Sequence, residues 1–309
     1  MEMPRRILIT GASGVVGQRL LEHQNAWANQ DILLPVAFTN PNYPKLDITD
    51  INQIQQVFHK HQPDVVIHLA ALRNASKIEE ERDDIGGSAY QTNVVGTNNL
   101  ARACLAAHAK LIYISSGFVF SGKEHNQGPY DELTRPEPSN DLLSWYGVTK
   151  RLGEEVVLAN PNTAVVRIDN VSDPGNPGDD YIGKILNLYE ADKSYPMFED
   201  QWVTIAKMSK LAEVIGQIID RSANGVFHVA SSDRFTPHQL ANYAILLAYG
   251  VADAIPAGSI TNYLKDHPNR YPQYGGLLTP RTQQILGVQF DSWSEIVRDF
   301  IEERELIKK

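Results

Sequence analysis

Apolar and polar positions fall in blocks along this chain, and the period changes from block to block. Short aliphatic runs bounded by turn residues predict strands; longer stretches with apolar positions three and four apart predict helices. Arg5–Thr10 is the first strand-like run, and a helical pattern at Gln18–Glu22 follows it. Ile32–Phe38 predicts a second strand, ahead of a helix over Ile51–His61 that Thr49 or Asp50 can cap. Asp64–Ala71 is apolar almost throughout, as a strand buried on both faces should be. His68 interrupts it and reads as a buried histidine with a hydrogen-bond partner. Residues 76–84 read as a solvated helical or loop face, and Gly86-Gly87 precede one long helix, Tyr90–Ala109. Lys110–Ser116 and Thr163–Ile168 predict strands four and five, with a proline- and polar-rich loop, Lys123–Asp141, and a helix, Trp145–Glu155, between them.

Five strand–helix units in succession predict an α/β fold with a doubly wound parallel sheet. The turn after the first strand sharpens this. Thr10-Gly11-Ala12-Ser13-Gly14-Val15-Val16-Gly17 lies between a strand and a helix, the context of a dinucleotide-binding Rossmann turn. In that reading Gly11 makes the tight turn, Gly14 lets backbone approach a pyrophosphate, and Gly17 lets the helix pack close. The helix N-terminus would hold the phosphates. The spacing is G-x-x-G-x-x-G, not the generic G-x-G-x-x-G. After the second strand neither an acidic residue nor an arginine stands ready for the ribose, which leaves NAD and NADP both open and makes Thr39 and Asn40 the ribose neighbours.

Beyond Asp173 the texture changes to a turn cluster, residues 173–180. Helices are predicted near 181–191, 207–221, 236–249 and 292–306, with a short strand at Gly225–Val229. The expected organisation is a dinucleotide-binding Rossmann domain over residues 1–170. Residues 171–309 are mainly a smaller C-terminal substrate lobe, with segments near 201–230 returning to the core.

Composition excludes several classes. The formal charge of −9 argues against nucleic acid or an anionic membrane as partner. A single cysteine, Cys104, excludes an intrachain disulfide and suits a reducing compartment; its apolar helical surroundings make it a buried small hydrophobe. No apolar run is long enough to span a bilayer, and the start reads straight into the first strand without a signal peptide. A cytoplasmic protein is expected. No metal site is read from the histidines, since His59 and His61 merely end a helix.

Tyr146 and Lys150 are four apart on one predicted helix, so both lie on one face. A free phenol titrates near ~10. A neighbouring ammonium favours the phenolate, which would make Tyr146 a usable general acid or base. Ser115-Ser116 end the fourth strand, and a hydroxyl there can hydrogen-bond a carbonyl oxygen that gains alkoxide character.

Together these residues resemble an extended short-chain dehydrogenase/reductase. The resemblance covers most of the chain: the glycine turn, His68-Leu69-Ala70-Ala71, Asn93, Ser115-Ser116 and Tyr146-x-x-x-Lys150. Leu46-Asp47-Ile48-Thr49-Asp50, the run Tyr113–Gly122, the run Tyr146–Glu154, and Asp200-Gln201 near Thr204 are most similar to the dTDP-4-dehydrorhamnose reductase group. The resemblance implies a nicotinamide cofactor, NAD or NADP, and a nucleotide-sugar substrate whose 4-keto or 4-hydroxy group reacts. It puts Gly11, Ser13, Gly14, Val15 and Val16 along the pyrophosphate, and Asp47 with Ile48 at the adenine. Ala70, Ala71 and Leu72 would pass along the cofactor, with Asn93 and Ser115 beside it. Ser116 takes the catalytic serine position, Tyr146 is the general acid/base, and Lys150 holds the nicotinamide ribose while tuning Tyr146. Asn170 would face the nicotinamide or the substrate. Members of the group often form homodimers, although no interface signature is legible here. One departure stands out: Gly117-Phe118 occupies the place of the group's usual Asp-Tyr. A cofactor-retaining epimerase would use the same site. The resemblance also extends to the regulatory β-subunit of methionine adenosyltransferase, a non-catalytic dinucleotide-binding partner.

Overall fold

The computed structural model describes residues 3–28, 30–174 and 180–307. Residues 175–179, inside the turn cluster expected at 173–180, lie outside the described residues. The strands are β1 (Arg6–Thr10), β2 (Ile32–Val36), β3 (Val65–His68), β4 (Lys110–Ser116), β5 (Thr163–Ile168), β6 (Asn170–Ser172), β7 (Met197–Phe198), β8 (Ile205–Lys207), β9 (Gly225–Val229) and β10 (Ala257–Gly258). Contacts divide the chain into two compact units that interleave along the sequence: Met1–Val119, Pro138–Arg167 and Ala212–Phe227 in one, Phe120–Glu137, Ile168–Leu211 and His228–Lys309 in the other.

The first unit is built on a parallel six-stranded sheet in the order β2-β1-β3-β4-β5-β9. Why these runs became strands follows from burial. Leu8, Val66, Leu111 and Val165 pack into one cluster, while their alternate neighbours Ile9, Ile67, Ile112 and Val166 are just as buried. Successive strand side chains point to opposite faces, so the sheet is covered on both. One cover consists of helices α2 (Ile51–His61) and α5 (Thr97–Ala106) with α6 (Trp145–Leu158), which contribute Ile54, Phe58, Leu100, Cys104 and Val157 to that cluster. Helix α2 begins where its sequence says it should: the Asp50 side chain accepts from the amides of Asn52 and Gln53.

Helix α1 (Val15–Glu22) follows β1, and the chain turns back along the sheet after β2 and β3. Because β2 and β3 flank β1 on opposite sides, the carboxyl ends of β1 and β3 frame a topological switch point, where open α/β sheets bind ligands. The long helix expected at Tyr90–Ala109 is instead three stretches, α4 (Ser88–Tyr90), a π-helical Gln91–Gly96, and α5, preceded by a short helix α3 (Ala75–Glu80). Strands β2 and β3 stop short of their predicted ends, at Val36 and His68. Past Val36 only Ala37 bridges, to Lys45.

In the second unit Tyr181–Glu190, Pro237–Tyr249 and Trp293–Ile307 are helical, close to the predicted ranges. They bury Ile185, Leu186, Leu240, Ile245, Val297 and Phe300 against Ile205 and Phe235. β6 pairs in parallel with β8, and β10 with β7. Among the described residues no helix is long and apolar enough to cross a membrane.

Candidate active site

The first unit assembles a site at the carboxyl ends of β1, β3 and β4. Its floor is the glycine turn. Gly11 has φ of +70°, and a Cβ there would lie 2.6 Å from the Ala70 nitrogen, so only glycine fits without displacing the β3 exit. A Cβ at Gly17 would lie 2.5 Å from the Gly11 carbonyl oxygen, which is why α1 can start directly on the turn. Gly14 is the N-cap and supplies no side-chain cap. The first-turn amides of Val15 and Val16 therefore have no side-chain oxygen in front of them, and Ser13 sits half-buried beside them. This is a cradle that side chains would fill, and it fits a pyrophosphate.

A buried polar chain ties the cradle to the rest of the site. Thr10 Oγ1 meets His68 Nδ1 at 2.8 Å, and His68 Nε2 meets Thr97 Oγ1 at 3.0 Å. Thr97 donates to the Asn93 carbonyl at 2.7 Å. The Asn93 side chain then closes on Leu72, accepting from its amide at 2.8 Å and donating to its carbonyl at 3.0 Å, and donates to Thr149 Oγ1 at 3.1 Å. Thr149 donates to the Tyr146 carbonyl at 2.9 Å. Asn93 lies within the π-helical stretch, a local insertion of the kind common at functional sites. Its work here is to pin the Ala70-Ala71-Leu72 loop to α6. His68 is the buried, hydrogen-bonded histidine expected; burial and the Lys150 charge hold its pKa down to about 3.

Helix α6 is capped by Ser144, whose hydroxyl accepts from the Gly147 amide. Tyr146 in its first turn is half-buried, and the Ser116 side chain acts on its phenol, favouring the ionised form. Ser116 Oγ also accepts from the Phe118 amide at 3.3 Å. The Phe118 ring meets Tyr146 edge-on, centroids 5.7 Å apart. Gly147 is required here, since any Cβ would collide with the Phe118 carbonyl. Lys150 is 3% exposed, donates from Nζ to the Ile114 carbonyl at 2.7 Å, and lies 4.0 Å over the Tyr113 ring. Burial lowers its pKa to about 7, opposed by the Glu154 charge.

One expectation is corrected here. Lys150 does not bring the Tyr146 phenol towards neutrality: burial pushes Tyr146 up to about 12, relieved by the Ser116 side chain and the Arg73 charge. The reason is direction, because the ammonium is spent on a β4 carbonyl and an aromatic face. Tyr113, Thr149 and Arg73 were missed from sequence. Tyr113 and Thr149 enter by tertiary contact, and Arg73 by its charge from the loop after β3; no local spacing marks any of them.

The remaining candidates divide. Thr39 and Asn40 follow β2, where Asn40 Oδ1 accepts from the Asn42 amide at 3.0 Å. Asp47 Oδ1 is engaged by the Thr49 amide and hydroxyl at 2.9 and 2.7 Å, and Ile48 is buried against Gly96. Ala70 and Ala71 are half-buried, Leu72 exposed. Ser115 is buried with its hydroxyl unpaired among the described residues. Asn170 belongs to the second unit, in β6, paired in register with Ile205.

A family model described as RmlD substrate binding domain matches residues 5–306. The chain belongs to the RmlD substrate binding domain family. A dTDP-4-dehydrorhamnose reductase of Mycolicibacterium smegmatis is 30% identical over 302 residues, 97% of this chain and 86% of that protein. The methionine adenosyltransferase 2 subunit beta of Pongo abelii is 30% identical over 251 residues, 77% of this chain and 70% of its own length. Among solved structures, the dTDP-4-dehydrorhamnose reductase of Bacillus anthracis, in complex with NADP, superposes with a TM-score of 0.81 at 26% identity, covering 97% of this chain and all, 100%, of that one. The family assignment agrees with the extended short-chain dehydrogenase/reductase resemblance carried by the motifs.

Proposed function

We propose that this chain is an NAD(P)-dependent reductase acting on the 4-keto group of a nucleotide-activated sugar. One observation carries the reading: a phenol acted on by the strand-end Ser116, with a buried lysine one turn along the same helix, beside a glycine cradle. The named reductases among its relatives support it.

Backbone amides at Gly11, Ser13, Gly14, Val15 and Val16 would hold the pyrophosphate, with Asp47 and Ile48 at the adenine and Thr39 and Asn40 at the adenosine ribose. Ala70, Ala71 and Leu72, fixed by Asn93, would pass along the dinucleotide, Ser115 lines its path, and Lys150 would take the nicotinamide ribose. The cofactor, when bound, supplies a hydride to the carbonyl carbon. Everything else falls to the chain. Ser116 orients the carbonyl oxygen, and Tyr146 delivers a proton to it as it gains alkoxide character. A phenol held near 12 keeps its proton at neutral pH, which suits the reductive direction. The Phe118 ring packs on the phenol and shields it from water. We assign choice of sugar to the C-terminal lobe, residues 171–309, take Asn170 to face the nicotinamide or the substrate, and place the enzyme in the cytoplasm as a homodimer.

A second reading has its own observation. Gly117-Phe118 brings neither carboxylate nor a second phenol, and the similarity to methionine adenosyltransferase 2 subunit beta points to a dinucleotide-binding partner subunit. Oxidation of NADH or NADPH with 4-keto-6-deoxy nucleotide sugars, lost in Tyr146→Phe, supports the reductase. Cofactor binding without turnover supports the partner subunit, and nicotinamide that survives purification points to a cofactor-retaining epimerase.

A further inference from the structure

Lys150 is a buried ammonium whose salt-bridge needs are not met by a carboxylate. Glu154, one turn on, spends both oxygens on Arg167, at 2.9 Å to Nε and 2.7 Å to Nη2. Among the described residues no carboxylate lies within ion-pair reach of Lys150, and a desolvated charge so placed needs other compensation. What it has is the Ile114 carbonyl and the Tyr113 ring.

We propose that Tyr113 is a positioning residue, the face of its ring holding the Lys150 ammonium in place at the end of β4. The ring is itself fixed from both sides. His68 on β3 lies 5.4 Å away, centroid to centroid, tilted by 37°. Gly153 on α6 leaves room for the hydroxyl; a Cβ there would run into Tyr113 Oη and sit 3.0 Å from Cζ. The hydroxyl makes no well-formed hydrogen bond among the described residues, with Thr97 the polar side chain that acts on it. So the ring, rather than the hydroxyl, is what the site uses. A cation above a desolvated aromatic face is attracted to the negative π-cloud. The ionisable groups facing this pair are His68 from β3, Tyr146 and Glu154 from α6, and Arg167 from β5 behind Glu154. This inference deepens the reductase reading and rests on it for its catalytic consequence.

The test is a pH titration of Lys150 in the full chain carrying ¹³C-labelled lysine, the Cε signal being assigned by its loss in Lys150→Arg. Wild type is expected to titrate near 7. Tyr113→Leu removes the π face and destabilises the charged form, so the midpoint falls, the proton dissociating about three- to tenfold more readily. Tyr113→Phe keeps the face and stays within about twofold of wild type, because the deleted hydroxyl was unpaired. Should Tyr113→Leu not fold, Gly153→Ala lowers the midpoint by displacing the ring, and Gly153→Ala with Tyr113→Phe restores most of it. The proposal is overturned if Tyr113→Leu or Gly153→Ala leaves the midpoint unmoved, or if Tyr113→Phe shifts it as far as leucine does. In the reductase assay the alkaline limb of kcat should move to lower pH with the same ranking of variants. Midpoints that move as stated in a protein that reduces no nucleotide sugar would refute the reductase reading and leave the positioning role standing.

Discussion

Removing the cation from the buried Arg167–Glu154 pair should be among the most costly single changes in the first unit. Both side chains are 2% exposed, and the guanidinium grips the carboxylate through two parallel bonds. Arg167→Met has similar reach but strands the Glu154 carboxylate in a dry interior. Breaking one side of such a pair costs about 3–5 kcal/mol, a large part of a typical total of roughly 5–15 kcal/mol. With a urea dependence of about 3 kcal/mol per molar, the midpoint should fall by roughly 1–1.7 M. Glu154→Leu combined with Arg167→Met removes both charges and should recover to within about 1–2 kcal/mol of wild type. Urea unfolding followed by circular dichroism reads both variants, together with Glu154→Leu alone, against wild type. A single variant costing under about 1 kcal/mol, or a double variant costing the sum of its parts, would refute this account of the pair.

Two further predictions use the buried titratable groups. His68, held near 3 against an unfolded value of about 6.5, binds fewer protons folded than unfolded between those values. Its contribution is therefore complete above about 6.5 and is lost as pH falls, by about 2 kcal/mol between pH 6.5 and 5. Its imidazole resonances should show no titration between pH 5 and 8, and a midpoint near 6 would contradict the burial argument. The Cys104 thiol, pushed up to about 12 by burial, should ignore a disulfide reagent at pH 8 and react fully once urea unfolds the chain; rapid native reaction would count against it.

How much of this was legible in the sequence depended on where the determining forces lie. Lys110–Ser116 and Ile51–His61 were readable to the residue, one as an unbroken run stopped by Gly117, the other through a capping aspartate. The π-helical stretch at Gln91–Gly96 was not, because one extra residue per turn hardly disturbs an apolar pattern of this length. β2 and β3 continue as apolar runs past their last ladder bond, so composition overstates them. Tyr146 and Lys150 could be placed on one helical face by spacing alone. The electrostatics could not, since they turn on where Nζ points, and that is set by the Ile114 carbonyl and the Tyr113 ring across the fold. Seven intervening helices and strands of tertiary context likewise separate Arg73 and Tyr146 in sequence, while the charge of one still acts on the phenol of the other.

The most direct test of the central claim is the loss of reduced-cofactor absorbance, with NADH and NADPH in parallel, against a panel of nucleotide 4-keto-6-deoxy sugars. Wild type should consume one of the two cofactors, and Tyr146→Phe should lose about a hundredfold or more in kcat while still binding it. Turnover undiminished in Tyr146→Phe, or no turnover by a wild-type chain that binds the cofactor, would contradict the account.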